Sequence, residues 1–168
     1  MSQLKVNSII PVAGVPTGGG GGIIQVKQTL KNDTASSSTT GSFTDISGLS
    51  VAITPTSSSS KILVFVALNG ISHNQQSVGF RLLRGSDQVG GASSTSLQSG
   101  FANIYADEEY LMSASHCFLD SPTYNVGDTL TYKLQWRPAN GTVYLGRYFA
   151  DATNYNSAST ITAMEVSG

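Results

Sequence analysis

Apolar residues in this chain recur at every second position far more often than at helical spacing. TLTYKLQW is the clearest stretch. Leu130, Tyr132, Leu134 and Trp136 fall on one side and Thr129, Thr131, Lys133 and Gln135 on the other, the alternation of an antiparallel strand with one face buried. SVGFRLLRG groups Val78, Phe80 and Leu82 opposite Arg81, and Leu49, Val51 and Ile53 keep the same period until Pro55 stops it. STITAMEV separates Thr160, Thr162, Met164 and Val166 from Ile161, Ala163 and Glu165. IIQVKQTLK, residues 23 to 31, passes from an apolar run into alternation. KILVFVALNGI, residues 61 to 71, is apolar on both faces and is expected to be the most buried strand.

Small and polar residues punctuate these runs. TASSSTTGS reads as a loop, Ser57 to Ser60 as a turn, Gly85-Ser86 as another turn, and Gly90 to Gly100 as a long loop. Asn140-Gly141 predicts a hairpin returning the strand into TVYLGRYF. No sustained 3.6-residue period is present, and ADEEYLMSAS, residues 106 to 115, is the single helical candidate. About eight strands at these spacings predict an all-β fold, an antiparallel β-sandwich or jelly roll.

The opening residues differ from the rest. MSQLKVNSIIPVAGVPTGGGGG carries Pro11 and Pro16 and ends in five glycines, Gly18 to Gly22, which argues against a helix and for a flexible hinge. Its apolar residues Leu4, Val6, Ile9, Ile10, Val12 and Val15 are too many for a solvated tail and predict an extended attachment arm. The chain therefore divides into an arm and hinge, residues 1–22, and a β head, residues 23–168.

Composition sharpens this. Of 168 residues only 11% are charged, against roughly 25% in an ordinary soluble protein. Ser, Thr and Gly number 25, 16 and 18, so polarity comes from hydroxyls and backbone. A net charge of −1 offers no electrostatic attraction for nucleic acid, and no apolar run approaches the roughly 18 residues of a membrane span. So few charges also predict an assembly, with one face of the apolar strands buried internally and another against further copies. The first residues lack the layout of a signal peptide, which predicts synthesis in the cytoplasm.

Candidate chemistry is sparse. Cys117 is the single cysteine and excludes an intrachain disulfide; beside His116 it reads as a small buried thiol next to a solvent-facing imidazole. No GxSxG elbow marks a nucleophile, and the glycine run lacks the Lys-Ser/Thr of a phosphate loop. Asp107, Glu108 and Glu109 read as a solvated loop or helix start, and Asp120 and Asp128 as turn residues. Neither a catalytic site nor a cofactor or metal site is expected. Tyrosines gather in the C-terminal half, and Tyr148, Phe149, Asn154 and Tyr155 form a candidate receptor patch, since flat rings with polar tips bind sugars and protein surfaces.

LKVNSI at one end, STITAMEVSG at the other, and FTDISGLSVAITPTSSSSKILV, FRLLRG, FLDSP and GTVYLGR between them resemble the short tail-fibre and virion structural proteins of tailed bacteriophages, notably cyanophage and marine types. The resemblance implies a homotrimeric β head for host-surface recognition, held by its N-terminal arm to other tail or baseplate proteins of the virion. Its partner outside the particle would be a cell-surface glycan or protein. Thr160, Thr162, Met164 and Val166, or the opposite face of that strand, are the candidate trimer interface, together with KILVFVAL. A capsid decoration or cement protein is the alternative, and a glycan depolymerase fits poorly with so few acidic residues.

Overall fold

The computed structural model describes residues 22–92, 99–108, 110–150 and 156–168. The expected arm residues Leu4, Val6, Ile9, Ile10, Val12 and Val15, and Asn154 and Tyr155 of the expected patch, lie outside the described residues. Eleven strands follow one another, with no helix among the described residues: β1 (Ile23–Lys31), β2 (Ala35–Ser37), β3 (Thr44–Ile53), β4 (Lys61–Ile71), β5 (Gln76–Arg84), β6 (Asp87–Val89), β7 (Ala102–Ala106), β8 (Met112–Asp120), β9 (Leu130–Pro138), β10 (Val143–Leu145) and β11 (Ser159–Val166).

Eight of these strands build two facing sheets, ordered β1-β11-β4-β8 and β3-β9-β5-β7, with every pairing antiparallel. That interleaving of chain order between two sheets is a jelly roll, as the alternation predicts. The three short strands are additions. β6 pairs with the end of β5 that β7 leaves free, and β2 with β10 forms a separate ribbon.

Two sequence expectations fail here. Asn140-Gly141 does not return the chain along β9, because β3 and β5 already occupy both edges of that strand. The chain crosses over instead, so that β10 pairs with β2 and Tyr144 bridges to Ser72. The helical candidate is also absent. Ala106 closes β7 and Met112 opens β8, and from Ala114 onward the side chains keep a period of two.

The inner faces make one core. Ile62, Val64, Val66 and Leu68 of β4 and Ile161 and Ala163 of β11 meet Val78, Phe80, Leu82, Tyr132, Leu134 and Trp136 from the opposite sheet, all buried. Ile46 and Leu49 are three residues apart, a spacing that in a regular strand would send one of them outward. Both are buried because β3 shifts register between Asp45 and Ser50, with Gly48 at φ 81°. A glycine in that left-handed conformation is what a bulge of this type needs.

Buried polar clips tie the layers together. Glu165 is fully buried at one end of the sandwich. Its Oε1 accepts the Thr56 N–H at 2.8 Å, the Thr56 hydroxyl at 2.9 Å and the Ser60 hydroxyl at 2.8 Å, while Oε2 accepts the Gln25 amide at 2.7 Å. Burial alone would push this carboxyl's pKa up, but the hydrogen bonds from Gln25, Thr56 and Ser60 outweigh it and hold the group below the ordinary glutamate value. At the same end Asp120 of β8 pairs with Arg84 at 2.6 Å and accepts the Tyr132 hydroxyl at 2.7 Å. Asp120 therefore clips one sheet to the other and is not the turn residue its neighbours suggested. Asp128 is one, accepting the Asn125 N–H at 2.9 Å.

Glu165→Ala leaves four donors without their charged acceptor and should destabilise the head by about 3 kcal/mol in chemical denaturation. Glu165→Gln, which keeps one acceptor oxygen but sets an amide nitrogen against Gln25, should fall roughly halfway. A carboxyl depressed on folding stabilises above its unfolded pKa of about 4.3 and loses that contribution as pH falls through the lower folded value. Wild-type stability should therefore drop in that acid window more steeply than that of either variant.

Candidate functional site

Alternation along β11 sends Ile161, Ala163 and Glu165 inward, so Thr160, Thr162, Met164 and Val166 lie on the outer side of their sheet. The antiparallel register lines them up with neighbours in three rows across four strands. These are Val26–Met164–Leu63–Leu119, Gln28–Thr162–Phe65–Cys117 and Leu30–Thr160–Ala67–Ser115. None of these twelve side chains is charged. Val26 is 52% exposed, Leu30 58%, Leu119 47% and Phe65 40%. Strand and residue spacings give this face, which includes the polar Gln28, Thr160, Thr162 and Ser115, an area on the order of 400 Å², comparable with the largest surface patch of an ordinary monomer, which is often functional. β4, expected to be the most buried strand, covers one face with the opposite sheet and leaves Leu63, Phe65 and Ala67 on the other.

The His116–Cys117 pair is oriented opposite to expectation. Cys117 is exposed on the outer face, paired with Phe65. His116 turns inward, stacked on Phe101 with ring centroids 4.7 Å apart and beside Phe118 at 6.3 Å, and its Nε2 is buried without a partner. Parity in β8 decides this, because Ala114 and Asp120 share the inward side. Gly90 makes room, since a Cβ there would stand 2.7 Å from the Phe118 ring and 2.8 Å from His116 Nε2. Burial pulls the imidazole pKa below the ordinary value, an effect the Gly90 backbone partly offsets.

The end of the sandwich away from Glu165 carries a cleft of about 390 Å³, lined by His73, Asn74, Gln76, Asn140, Gly141, Thr142, Tyr144 and Phe149. Its walls are loops from distant parts of the chain, fastened to one another. The His73 ring is buried, and its Nε2 lies 2.6 Å from the Asn140 carbonyl, so that nitrogen carries the proton and Nδ1 is left without a partner. Ser72 and Tyr144 exchange backbone hydrogen bonds at 3.0 and 3.1 Å, and the Ser72 hydroxyl reaches the Arg147 carbonyl at 2.8 Å. The Arg147 guanidinium lies 4.3 Å over the Tyr144 ring and donates to the carbonyls of Tyr148 and Phe149, each at 3.1 Å. Phe149 meets Tyr144 edge-on with centroids 5.7 Å apart.

Of the expected patch, Phe149 lines this cleft, and Tyr148 sits beside it in the same loop. His73, Asn74, Gln76, Asn140 and Thr142 were missed as a group. Their one sequence signal was two amide-rich turns, Asn74-Gln75-Gln76 and Asn140-Gly141, far apart in the chain. Among the described residues no three His, Cys, Asp or Glu side chains gather as a metal site. The chain matches no protein-family model and no curated protein.

A histidine whose pKa is lowered on folding makes stability fall as pH drops below the unfolded value of about 6.5, until the folded ring itself takes up a proton. His116→Leu should flatten that part of the profile relative to wild type, measured as denaturation midpoint from pH 7 downward. An unchanged slope would show that the buried imidazole does not titrate differently on folding.

Proposed function

We propose that this chain is a structural protein of a tailed-bacteriophage virion, a tail-fibre subunit. Its residues 23–168 form a homotrimeric head for host-surface recognition, and its residues 1–22 join it to other tail or baseplate proteins. The observation that carries the reading is the uncharged outer face of the β1-β11-β4-β8 sheet. A solvated antiparallel sheet presents polar side chains on its free side, whereas this one presents Val26, Leu30, Leu63, Phe65, Leu119 and Met164. Further copies of the same chain, closed around an axis, remove such a face from water without leaving a free apolar surface.

Polarity of the head supports the same reading. The chain enters β1 at Gly22, whose carbonyl accepts the Ser167 N–H at 3.0 Å, at the Glu165 end of the sandwich. The cleft lies at the opposite end. A fibre needs this separation, with attachment at one pole and recognition at the other. Three copies would present three clefts, so that weak individual contacts sum to firm retention.

In light scattering the full-length protein should have three times the mass of its 17.5 kDa chain. Phe65→Glu places a charge at the centre of the face and should yield monomer, while Val126→Glu, on an exposed loop outside it, should leave the trimer intact. Cys117 reports independently, reacting slowly with maleimide in the assembly and rapidly in the Phe65→Glu variant. A wild-type monomer would defeat the reading. Gold-labelled antibody on intact particles should mark the tail; labelling over the head shell would favour a capsid decoration protein instead.

A further inference from the structure

We propose that the cleft framed by loops 72–75, 139–142 and 146–150 binds a neutral saccharide unit. This deepens the reading above by naming the ligand class of the recognition end, and rests on that reading only for its biological setting. At about 390 Å³ the cleft falls within the usual range of small-ligand sites.

The lining decides the chemistry. It combines amides, a threonine hydroxyl, the His73 imidazole and two aromatic rings, and among the described residues includes no carboxylate, lysine or arginine. Sugar hydroxyls both donate and accept, and so do the side-chain amides of Asn74 and Gln76 and the hydroxyl of Thr142. Among the described residues these three side chains make no hydrogen bond of their own, so their capacity is open to a ligand. The nearby Arg147 is not among the lining residues, and its Nε and Nη2 donate to two backbone carbonyls while its face lies over the Tyr144 ring. An acidic sugar would find no lysine or arginine among the described lining residues, and a purely apolar ligand would strand the amides.

The walls of the cleft are also fixed before any ligand arrives. Arg147 fixes the Tyr144–Phe149 wall, and the His73–Asn140 contact locks the loops from which Asn74 and Thr142 project. Between Asn74 and Gln76, Gln75 takes a left-handed backbone with φ 48°. A non-glycine residue held there is strained by roughly 1–3 kcal/mol, and such strain concentrates where a ligand site needs a particular shape. Rings and loop backbone positioned in advance lose little freedom when a sugar binds.

The test is titration of the ¹⁵N-labelled full-length protein with D-glucose, D-galactose, D-mannose, N-acetylglucosamine and, as the charged counterpart, D-glucuronate. At least one neutral sugar should shift the Gly141 and Thr142 amide resonances with a millimolar Kd. Phe149→Ala should weaken it about tenfold, and Gln76→Ala should weaken it measurably with an unchanged melting temperature, which serves if the Phe149 variant folds poorly. The inference is overturned if none of the four neutral sugars shifts those resonances, if glucuronate alone does, or if both folded variants bind as wild type. A trimer on the phage tail whose cleft ignores sugars would sink this inference alone. A sugar-binding monomer would keep it and remove the fibre reading.

Discussion

A strand has two faces, and the opposite sheet of a sandwich can cover only one. This geometric limit governs the molecule. In β4 and β11 the inward residues Ile62, Val64, Val66, Leu68, Ile161 and Ala163 are buried by the fold itself. The outward residues Leu63, Phe65, Thr160 and Met164 have no second layer to meet among the described residues. A chain with more charge would place lysines and glutamates there, as solvated sheets do. This one has 19 charged side chains in 168 residues, and the three central rows of the sheet receive none.

The same scarcity shapes the interior. Where the fold buries a carboxylate it seldom has a cation to spend on it. Glu165 is held by two hydroxyls, a backbone N–H and an amide, the groups a Ser- and Thr-rich chain has in abundance. Asp120 uses one arginine together with a tyrosine whose own ionisation is pushed upward by burial and then by that carboxylate. Both clips sit at the end where the chain enters β1 and leaves β11, so the buried carboxylates among the described residues lie at one pole. The composition that leaves the outer face bare also dictates how the core is fastened.

Period-two alternation made the fold class legible, because it depends on each residue and its nearest neighbours alone. Tyr132 to Trp136 and Val78 to Leu82 bury the residues the pattern selects, and Leu130 is half-buried at the start of its strand. What depends on parity across an irregularity was not legible. The bulge at Gly48 brings Ile46 and Leu49 to the same side, and the inward turn of His116 exchanges the roles expected of it and Cys117. Asn140-Gly141 carried a strong local hairpin signal, but whether β9 had a free edge is a property of the whole sheet. The cleft was hidden for the same reason. Its amides come from turns more than sixty residues apart, and only the jelly-roll crossings bring them together.

Those crossings also explain why the cleft lies where it does. In this topology the connection from β4 to β5 passes from one sheet to the other at the end remote from Gly22. The excursion after β9 leaves at that same end because its sheet offers no edge to follow. Two connections forced to share one rim must satisfy each other's backbone, and they do so through Ser72–Tyr144 and His73–Asn140. With the main chains paired in this way, Asn74, Gln76 and Thr142 are released from structural duty while their positions stay fixed. The closure of the sandwich thus sets at its far rim polar side chains that stand on a paired backbone and are bonded to no other described residue.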